Sequence, residues 1–492
     1  MRITADGWGW RHAGRSEWAT RDVSFTIEAG ERVLLLGASG SGKSTLLSAI
    51  AGVLGGADEG EEAGQLLIDG RHPTRLKGHV GLVQQDPEAQ VILARVGDDV
   101  AFGLENLRVP PAEIWPLVRA SLDRVGLDLP LDHPTSQLSG GQKQRLAIAG
   151  ALAMQAHDDA PGALLLDEPT ANLDPAGVVE VRDTIEAVLA DRRATLIVVE
   201  HRVDVWADLV DRVIVLGRGG GVLADGPPDA VFGERGPELA AAGAWVPGLP
   251  HGVEPRVTPA SPGAILTTDD LSIGYSPTQI VRAGLNVDVP RGLATAITGP
   301  NGVGKSTLAL TLAGLLAPRD GRVIADEQLT AGVRVRKHRN ATPSSPISWA
   351  SRDLLTRIGT VFQEPEHQFV EARVRDEIAV GLKALGWKPD AITARVDDLL
   401  GQLHLEKVAD ANPFTLSGGE KRRLSVGTVL ATSPQVIVLD EPTFGQDRVT
   451  WISLVTLIQS ILDAGSTIIS VTHDAAYLDV LAEHRIDLEV AP

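Results

Sequence analysis

Gly37-Ala38-Ser39-Gly40-Ser41-Gly42-Lys43-Ser44-Thr45 is the stretch whose reading decides the fold. It follows an apolar run, Val33-Leu34-Leu35-Leu36, which reads as a buried parallel strand. It precedes Leu46-Leu47-Ser48-Ala49-Ile50, which reads as the start of a helix. Strand, glycine-rich turn and helix are the setting in which G-x-x-x-x-G-K-[ST] works as a phosphate loop. The glycines let the backbone curl so that successive N–H groups point at phosphate oxygens. The following helix presents its positive dipole end at the same place. Lys43 is placed to reach the β- and γ-phosphates and Ser44 to ligate Mg²⁺. The pattern returns at Gly299-Pro300-Asn301-Gly302-Val303-Gly304-Lys305-Ser306-Thr307.

The chain has 492 residues, enough for two to four domains at about 150 residues each. Its formal net charge of −19 sets a field that repels nucleic acid and anionic lipid, so no nucleic-acid partner is expected. The one basic cluster, Arg334-Val335-Arg336-Lys337-His338-Arg339, reads as a solvated loop. There is no cysteine, hence no disulfide framework and no thiolate metal site. Met1-Arg2-Ile3-Thr4-Ala5-Asp6 carries no apolar signal core, and a cytosolic location suits the nucleotide chemistry. No run of about 18 apolar residues occurs, so no segment is expected to span a membrane.

Beyond the phosphate loop the motifs come in one order, twice. Lys43 recurs as Lys305, Gln85 as Gln363, Ser139 as Ser417, Asp167 as Asp440 and His201 as His473. The spacing drifts only where one half has extra residues, at 328–351 in the second half and at 157–162 in the first. This is a duplication of a whole domain. The predicted boundaries are 1–235 for the first domain, 236–262 for a Pro/Gly-rich linker and 263–492 for the second. The linker includes an Ala-rich short helix, with Trp245 and Leu249 placed to pin it to a domain surface. Within each half, strands alternate with helical patterns, which argues α/β with a mainly parallel sheet. In the first half the expected strands are 33–36, 80–83, 163–166, 195–199 and 212–216. The stretch 100–127 reads as a helical subdomain with breaks at Val109-Pro110-Pro111 and at Trp115-Pro116.

Ala163-Leu164-Leu165-Leu166-Asp167-Glu168 and Val436-Ile437-Val438-Leu439-Asp440-Glu441 are apolar strands ending in two acids. Ligands bind at the carboxyl end of such sheets. Asp167 and Asp440 suit Mg²⁺, through water. Glu168 and Glu441 are placed to polarise an attacking water as general bases. Leu138-Ser139-Gly140-Gly141-Gln142 and Leu416-Ser417-Gly418-Gly419-Glu420 each precede a helix, and Ser with two Gly at a helix N-terminus is an anion-binding design. His201 and His473 each follow a strand and are candidates to sense a γ-phosphate. Gln85 and Gln363 also follow strands, where a glutamine can touch Mg²⁺ or the water while being pulled by a partner. Trp10 and Tyr275 are candidates to stack on adenine, with Trp8 an equal candidate beside Trp10.

Taken together, these residues resemble the ATP-binding-cassette ATPases, over nearly all of both halves and through five motifs in each. The resemblance implies two tandem phosphate-loop domains. Each would have a RecA-like parallel-sheet core, an antiparallel β subdomain and a helical subdomain. In that family each ATP lies between one domain's phosphate loop and the other domain's Ser-Gly-Gly signature. One site would then pair Lys43, Ser44, Asp167, Glu168 and His201 with Ser417, Gly418 and Gly419. The other would pair Lys305, Ser306, Asp440, Glu441 and His473 with Ser139, Gly140 and Gly141. One chain would thus form a pseudo-dimer that binds ATP and Mg²⁺.

A finer resemblance lies in Gln363-Glu364-Pro365-Glu366-His367-Gln368-Phe369 and Gln85-Asp86-Pro87-Glu88-Ala89-Gln90. It extends to Asp98-Asp99-Val100-Ala101-Phe102-Gly103-Leu104-Glu105-Asn106 and Phe444-Gly445-Gln446-Asp447. These are similar to energy-coupling-factor transporter ATPases, which drive uptake of vitamins or transition-metal ions. That resemblance implies an integral-membrane coupling subunit, a small membrane substrate-binding subunit, and a peripheral position on the cytoplasmic face of the membrane. It also implies that the helical subdomain and glutamine loop form the groove for the coupling subunit. The departures are Gln84 against Phe362, Glu420 against the signature glutamine, and Glu200-His201-Arg202 against Thr472-His473-Asp474. None removes a phosphate ligand, a metal ligand or the base, so both sites are expected to hydrolyse ATP. Glu420 bears on the site it would share with Lys43, because an acid beside a triphosphate is unfavourable unless it points away. A soluble tandem ATPase acting on ribosomes is a second reading, opposed by the Pro/Gly-rich linker and the acidic charge. A fused sugar-importer ATPase is a third, opposed by the matched catalytic residues of the two halves.

Overall fold

The computed structural model describes the chain except residues 57, 77, 157–161, 172, 191–193, 258–262, 277, 337–340 and 490–492. The chain divides into two compact units, Met1–Pro250 with Gly445–Val449, and His251–Phe444 with Thr450–Pro492.

Each unit is built on a parallel sheet. In the first, the strands stand in the order Val80–Val83, Ala163–Asp167, Thr195–Val199, Arg32–Gly37 and Arg212–Leu216, with Val222–Gly226 added antiparallel at the edge. In the second, the order is Ile358–Val361, Val436–Asp440, Thr467–Val471, Ala294–Thr298 and His484–Asp487. The apolar runs explain the two-sided burial. Strand side chains alternate between faces. Leu34, Leu36, Leu164 and Leu166 join the core beneath the helices. Their neighbours Val33, Leu35, Ala163 and Leu165 join a second core beneath an antiparallel sheet. A strand covered on both faces is mostly apolar, and parallel sheets are made of such strands.

The antiparallel sheet of the first unit has the order Thr20–Ile27, Ile3–His12, Gly60–Ile68. In the second unit Ala264–Ser276 pairs with Gln279–Leu285, Asp288–Pro290 and Asp320–Ala325. The helical subdomain of the first unit contains Val96–Asn106 and Pro111–Arg124, followed by the long helix Gly140–Ala156. Its counterparts are Val374–Leu385, Pro389–Gln402 and Gly418–Leu430.

Two expectations need correction. Trp115-Pro116 does not break a helix: Pro111–Arg124 runs through it. Pro116 lies on the exposed face, as does Ala112, so the carbonyl that loses its bond to the missing N–H is beside water. The first domain does not end at 235, because the helix Pro228–Ala241 crosses that point. Leu239, Ala240, Ala244 and Val246 are buried in the first unit's core, with Trp245 and Leu249 packed against it. The basic cluster keeps Arg334 and Arg336 exposed, as expected of a solvated loop, with Arg334 also paired to Asp353 at 3.0 Å. Its residues Lys337, His338 and Arg339 lie outside the described residues, as does most of the 157–162 insertion. Among the described residues no helix is long and apolar enough to cross a membrane.

Candidate functional site

The two phosphate loops sit where the sequence places them, between a core strand and the helices Lys43–Ile50 and Lys305–Leu312. The residue before each helix is a left-handed glycine, Gly42 at φ 89° and Gly304 at φ 103°. A Cβ on Gly42 would come within 2.6 Å of Thr20 Cβ, so both conformation and space demand glycine. Lys43 Nζ donates to Gly37 O at 2.8 Å and Ala38 O at 3.1 Å, spanning the loop mouth. Lys305 Nζ does the same with Gly299 O and Pro300 O, both at 2.8 Å, and lies 3.4 Å from Asn301 Oδ1. Burial lowers the pKa of Lys43, opposed by the charges of Glu168, Asp167 and Asp447. In the first unit, Ser39 N donates to Asp447 Oδ2 at 2.7 Å, and Asp447 is fully buried.

The acids and histidines arrive on neighbouring strands. Asp167 and Asp440 end their strands, and burial raises both pKa values, that of Asp167 to about 6. Each accepts a hydrogen bond from the serine after the lysine, Ser44 or Ser306, which opposes the shift. Asp440 Oδ1 is buried and has no hydrogen-bond partner among the described residues. A serine hydroxyl beside a buried carboxyl oxygen fits Mg²⁺, a hard cation that takes oxygen ligands and keeps several waters. The described residues contain no cluster of three or more acidic or histidine ligands, so the protein supplies a partial shell that phosphate oxygens and water would complete.

Glu168 and Glu441 hold left-handed backbone angles, φ 48° and 45°. Such strain costs about 1–3 kcal/mol and persists where the surroundings impose it. Here Glu168 N donates to Val199 O at 2.8 Å and Glu441 N to Val471 O at 2.9 Å, locking each acid to the strand that leads to the histidine. The side chains then differ. Glu168 accepts from Gln85 Nε2 at 2.9 Å and lies 3.2 Å from His201 Nε2. Glu441 is 4.0 Å from His473 Nε2, which also stands 3.2 Å from Asn301 Oδ1. Burial, reinforced by the charge of Asp440, pushes Glu441 up to about 7.

Ser139 and Ser417 cap the signature helices. Ser139 N donates to Gln142 Oε1 at 2.9 Å and Gln142 N to Ser139 Oγ at 3.2 Å. Ser417 and Glu420 form the same reciprocal capping box. Glu420 therefore points back into its own cap, which answers the concern raised by an acid at that position. Three residues at the site escaped the sequence reading. Arg422 is buried, donates from Nη1 to Phe362 O at 3.0 Å, and is lowered to about 10 by burial against the charges of Glu441 and Asp440. Gln144 holds the matching place in the first half, buried, with Nε2 unpartnered among the described residues. The third is Glu200, which is buried. Polar residues in a signature helix or beside a histidine look like surface, and only packing reveals them as interior.

Trp10 and Tyr275 differ. Tyr275 is 58% exposed, and its hydroxyl accepts from Thr307 Oγ1 at 3.3 Å, beside the phosphate loop. Trp10 is 2% exposed, against Gly60 and with Nε1 donating to His12 Nδ1, so its ring face is not open to an adenine. Trp8 is fully buried too. The ring area is committed to the core beneath the antiparallel sheet. Trp10→Ala should accordingly cost about 3–5 kcal/mol of stability by denaturant titration. Tyr275→Ala should cost less than about 1 kcal/mol, as expected for an exposed side chain. A Trp10→Ala protein with unchanged stability would contradict the buried placement. The raised pKa of Glu441 sets a second expectation. A base acts in its deprotonated form, so turnover of the Glu168→Gln variant should rise as pH increases through about 7 and level off above about 8. A pH–rate profile flat across that range would remove Glu441 from the base role.

The protein-family model described as ABC transporter matches residues 20–171 and 283–444, more than half of the chain. The putative HMP/thiamine import ATP-binding protein YkoD of Bacillus subtilis (strain 168) is 34% identical over 94% of this chain and 85% of its own length. A putative ABC transporter ATP-binding protein of Methanosarcina acetivorans is 32% identical over 95% of this chain and 80% of its own length. Among solved structures, the archaeal ribosome recycling factor aABCE1, in complex with the stalk protein aP1, aligns over 98% of this chain and 87% of its own. It has a TM-score of 0.60 at 20% identity, a likeness of fold alone. Two phosphate loops, two Asp-Glu strand ends and relatives matched along nearly the whole chain lead to one conclusion: the chain belongs to the ABC transporter ATPase family, with two ABC domains in tandem.

Proposed function

We propose that the chain is the energy-coupling ATPase of an importer of the energy-coupling-factor type, which takes up a vitamin or a transition-metal ion. The observation that carries this reading is the hydrogen bond from Gln85 Nε2 to Glu168 Oε2. It ties the hydrolytic glutamate to a segment that leads straight to the surface. Ile92, soon after Gln85, is 62% exposed, and Val370, soon after Gln363, is 75% exposed. Exposed apolar side chains on a segment tied to Glu168 suit the helices of a membrane partner. Lys143 Nζ reaches Glu88 at 2.6 Å and Lys421 pairs with Glu366, so each glutamine segment is also tied to its signature helix. The name of the Bacillus subtilis relative, an import ATP-binding protein, points the same way.

In the proposed cycle two composite sites form head to tail, each from one half's phosphate loop and the other half's signature. Lys43 and Lys305 bind the β- and γ-phosphates together with the loop N–H groups. Ser44 with Asp167, and Ser306 with Asp440, would hold Mg²⁺, aided by Gln85 and Gln363. When bound, Mg²⁺ offsets charge on the β- and γ-phosphate oxygens. Glu168 or Glu441 accepts the proton of a water whose oxygen bonds to the γ-phosphorus while the bond to the bridging β–γ oxygen breaks. His201 or His473 donates to the γ-phosphoryl oxygens. Tyr275 supports the adenine in the second half. Closure and reopening of the halves would pull on a membrane coupling subunit and a small substrate-binding subunit from the cytoplasmic face.

Glu168→Gln combined with Glu441→Gln should lower ATP turnover by about 100-fold or more, the scale of a general base. Undiminished turnover in an enzyme assay would sink the base assignment. Purification of the tagged chain from native membranes should bring down small hydrophobic membrane subunits identifiable by mass spectrometry. Ribosomal RNA as the main companion would instead overturn the importer reading.

A further inference from the structure

The two halves tie the acid to the histidine with different carboxyl groups, and the difference accounts for the departure between Glu200-His201-Arg202 and Thr472-His473-Asp474. Glu200 is 3% exposed and accepts four hydrogen bonds. Its Oε1 takes Thr170 N at 3.0 Å and the Thr170 hydroxyl. Its Oε2 takes His201 N at 2.8 Å and Arg202 N at 3.2 Å. Thr170 is two residues beyond Glu168, in the turn Glu168-Pro169-Thr170, and is fully buried. One buried side chain therefore joins the turn carrying the glutamate to the turn carrying the histidine.

In the second half the position before the histidine is Thr472, which is too short to bridge the turns. The bridge comes from the position after it. Asp474 Oδ2 accepts from Thr443 Oγ1 and from Trp451 Nε1, both at 2.7 Å. Its Oδ1 accepts from Tyr477 N at 3.2 Å, capping the helix Ala475–Leu481. Asp474 N donates to Thr472 Oγ1 at 3.1 Å. Thr443 corresponds to Thr170, in the turn Glu441-Pro442-Thr443. The same threonine is thus held in both halves, from opposite flanks of the histidine. Arg202, at the place of Asp474, gives its helix no side-chain cap.

We propose that Glu200 is a positioning residue of the first ATP site, holding Glu168 and His201 in mutual register, and that Asp474 performs that task in the second half. The buried Glu200 carboxyl, with two donors on each oxygen, fixes geometry, because any rearrangement would strand several polar groups away from water. The half-buried Asp474 holds its turn with three donors. The bridge crosses between the turn that carries Glu168 and the turn that carries His201. It rests on the assignment of Glu168 and His201 given above.

The experiment transplants one arrangement onto the other in the full chain. Glu200→Thr, copying Thr472, should lower kcat by about twofold, the loss expected when one of two independent sites is silenced, and leave the KM for ATP nearly unchanged, because no phosphate contact is lost. Glu200→Thr with Arg202→Asp, copying Asp474 as well, should restore kcat to within about 1.5-fold of the native chain. A group that merely filled space would show no rescue by a carboxyl moved two positions along the chain. Unchanged kcat in the single variant overturns the proposal. So does a low kcat in a double variant whose thermal unfolding matches the native chain. The double variant is read directly against the native protein, so poor folding of the single variant leaves the test intact. Glu168→Gln run alongside separates the two levels. If it lowers turnover while Glu200→Thr does not, only the positioning role falls; if it too has no effect, the site assignment falls.

Discussion

Everything at these sites depends on the register of three adjacent parallel strands. Val199 pairs with Asp167 on one side and with Leu35 on the other. Val471 pairs likewise with Asp440 and Ile297. The chain after Leu35 becomes the phosphate loop, Asp167 and Glu168 end the next strand but one, and the strand between them leads to His201. Parallel pairing makes all three strands end at the same edge, so the phosphate loop, Asp167, Glu168 and His201 meet with no long loops. A one-residue slip would exchange the faces of a strand and send each side chain into the opposite core, where its volume does not fit. The cores on both faces, which take alternate residues from the same strands, forbid that slip.

On this common scaffold the two halves arrange their buried polar groups differently. Glu168 has both Gln85 and His201 within hydrogen-bonding reach. Glu441 has its histidine at 4.0 Å and a buried arginine among the charges nearby. Where the second half buries Arg422, the first buries Gln144. Where the first buries Glu200, the second relies on Asp474. A charge in a low-dielectric interior must be matched nearby or it shifts its proton. Each half answers that demand with its own set. Both halves belong to an ATPase family, yet the path from acid to histidine is built from different residues in each.

Much of the architecture was legible because it follows from local chemistry. The strand cores fall where uninterrupted Val, Leu and Ile runs allow no solvent face, and Val80–Val83, Thr195–Val199 and Arg212–Leu216 match the expected bounds. The phosphate loops announce themselves through glycines that only left-handed backbone requires. The capping of Ser417 by Glu420 was available too, since Ser-x-x-Glu before a helix is a capping box. The break expected at Trp115-Pro116 failed where Pro116 and the orphaned Ala112 carbonyl lie on the exposed face, and that depends on which helix face is outermost. The boundary expected at 235 failed because Ala-rich, Gly-flanked sequence resembles a linker until its alanines are seen packed into a core.

The amino-acid sequence by itself determined the duplication, the parallel α/β class and the order of the motifs. These rest on periodicity, backbone freedom and side-chain type, which are local properties. Only the tertiary structure decided which polar groups are interior: Glu200 rather than Arg202, Arg422 against Gln144, Trp10 in the core and Tyr275 at the surface. Burial is the outcome of packing between segments far apart in the chain, and a hydrogen bond such as that between Thr170 and Glu200 exists only after the sheet has brought its strand ends together.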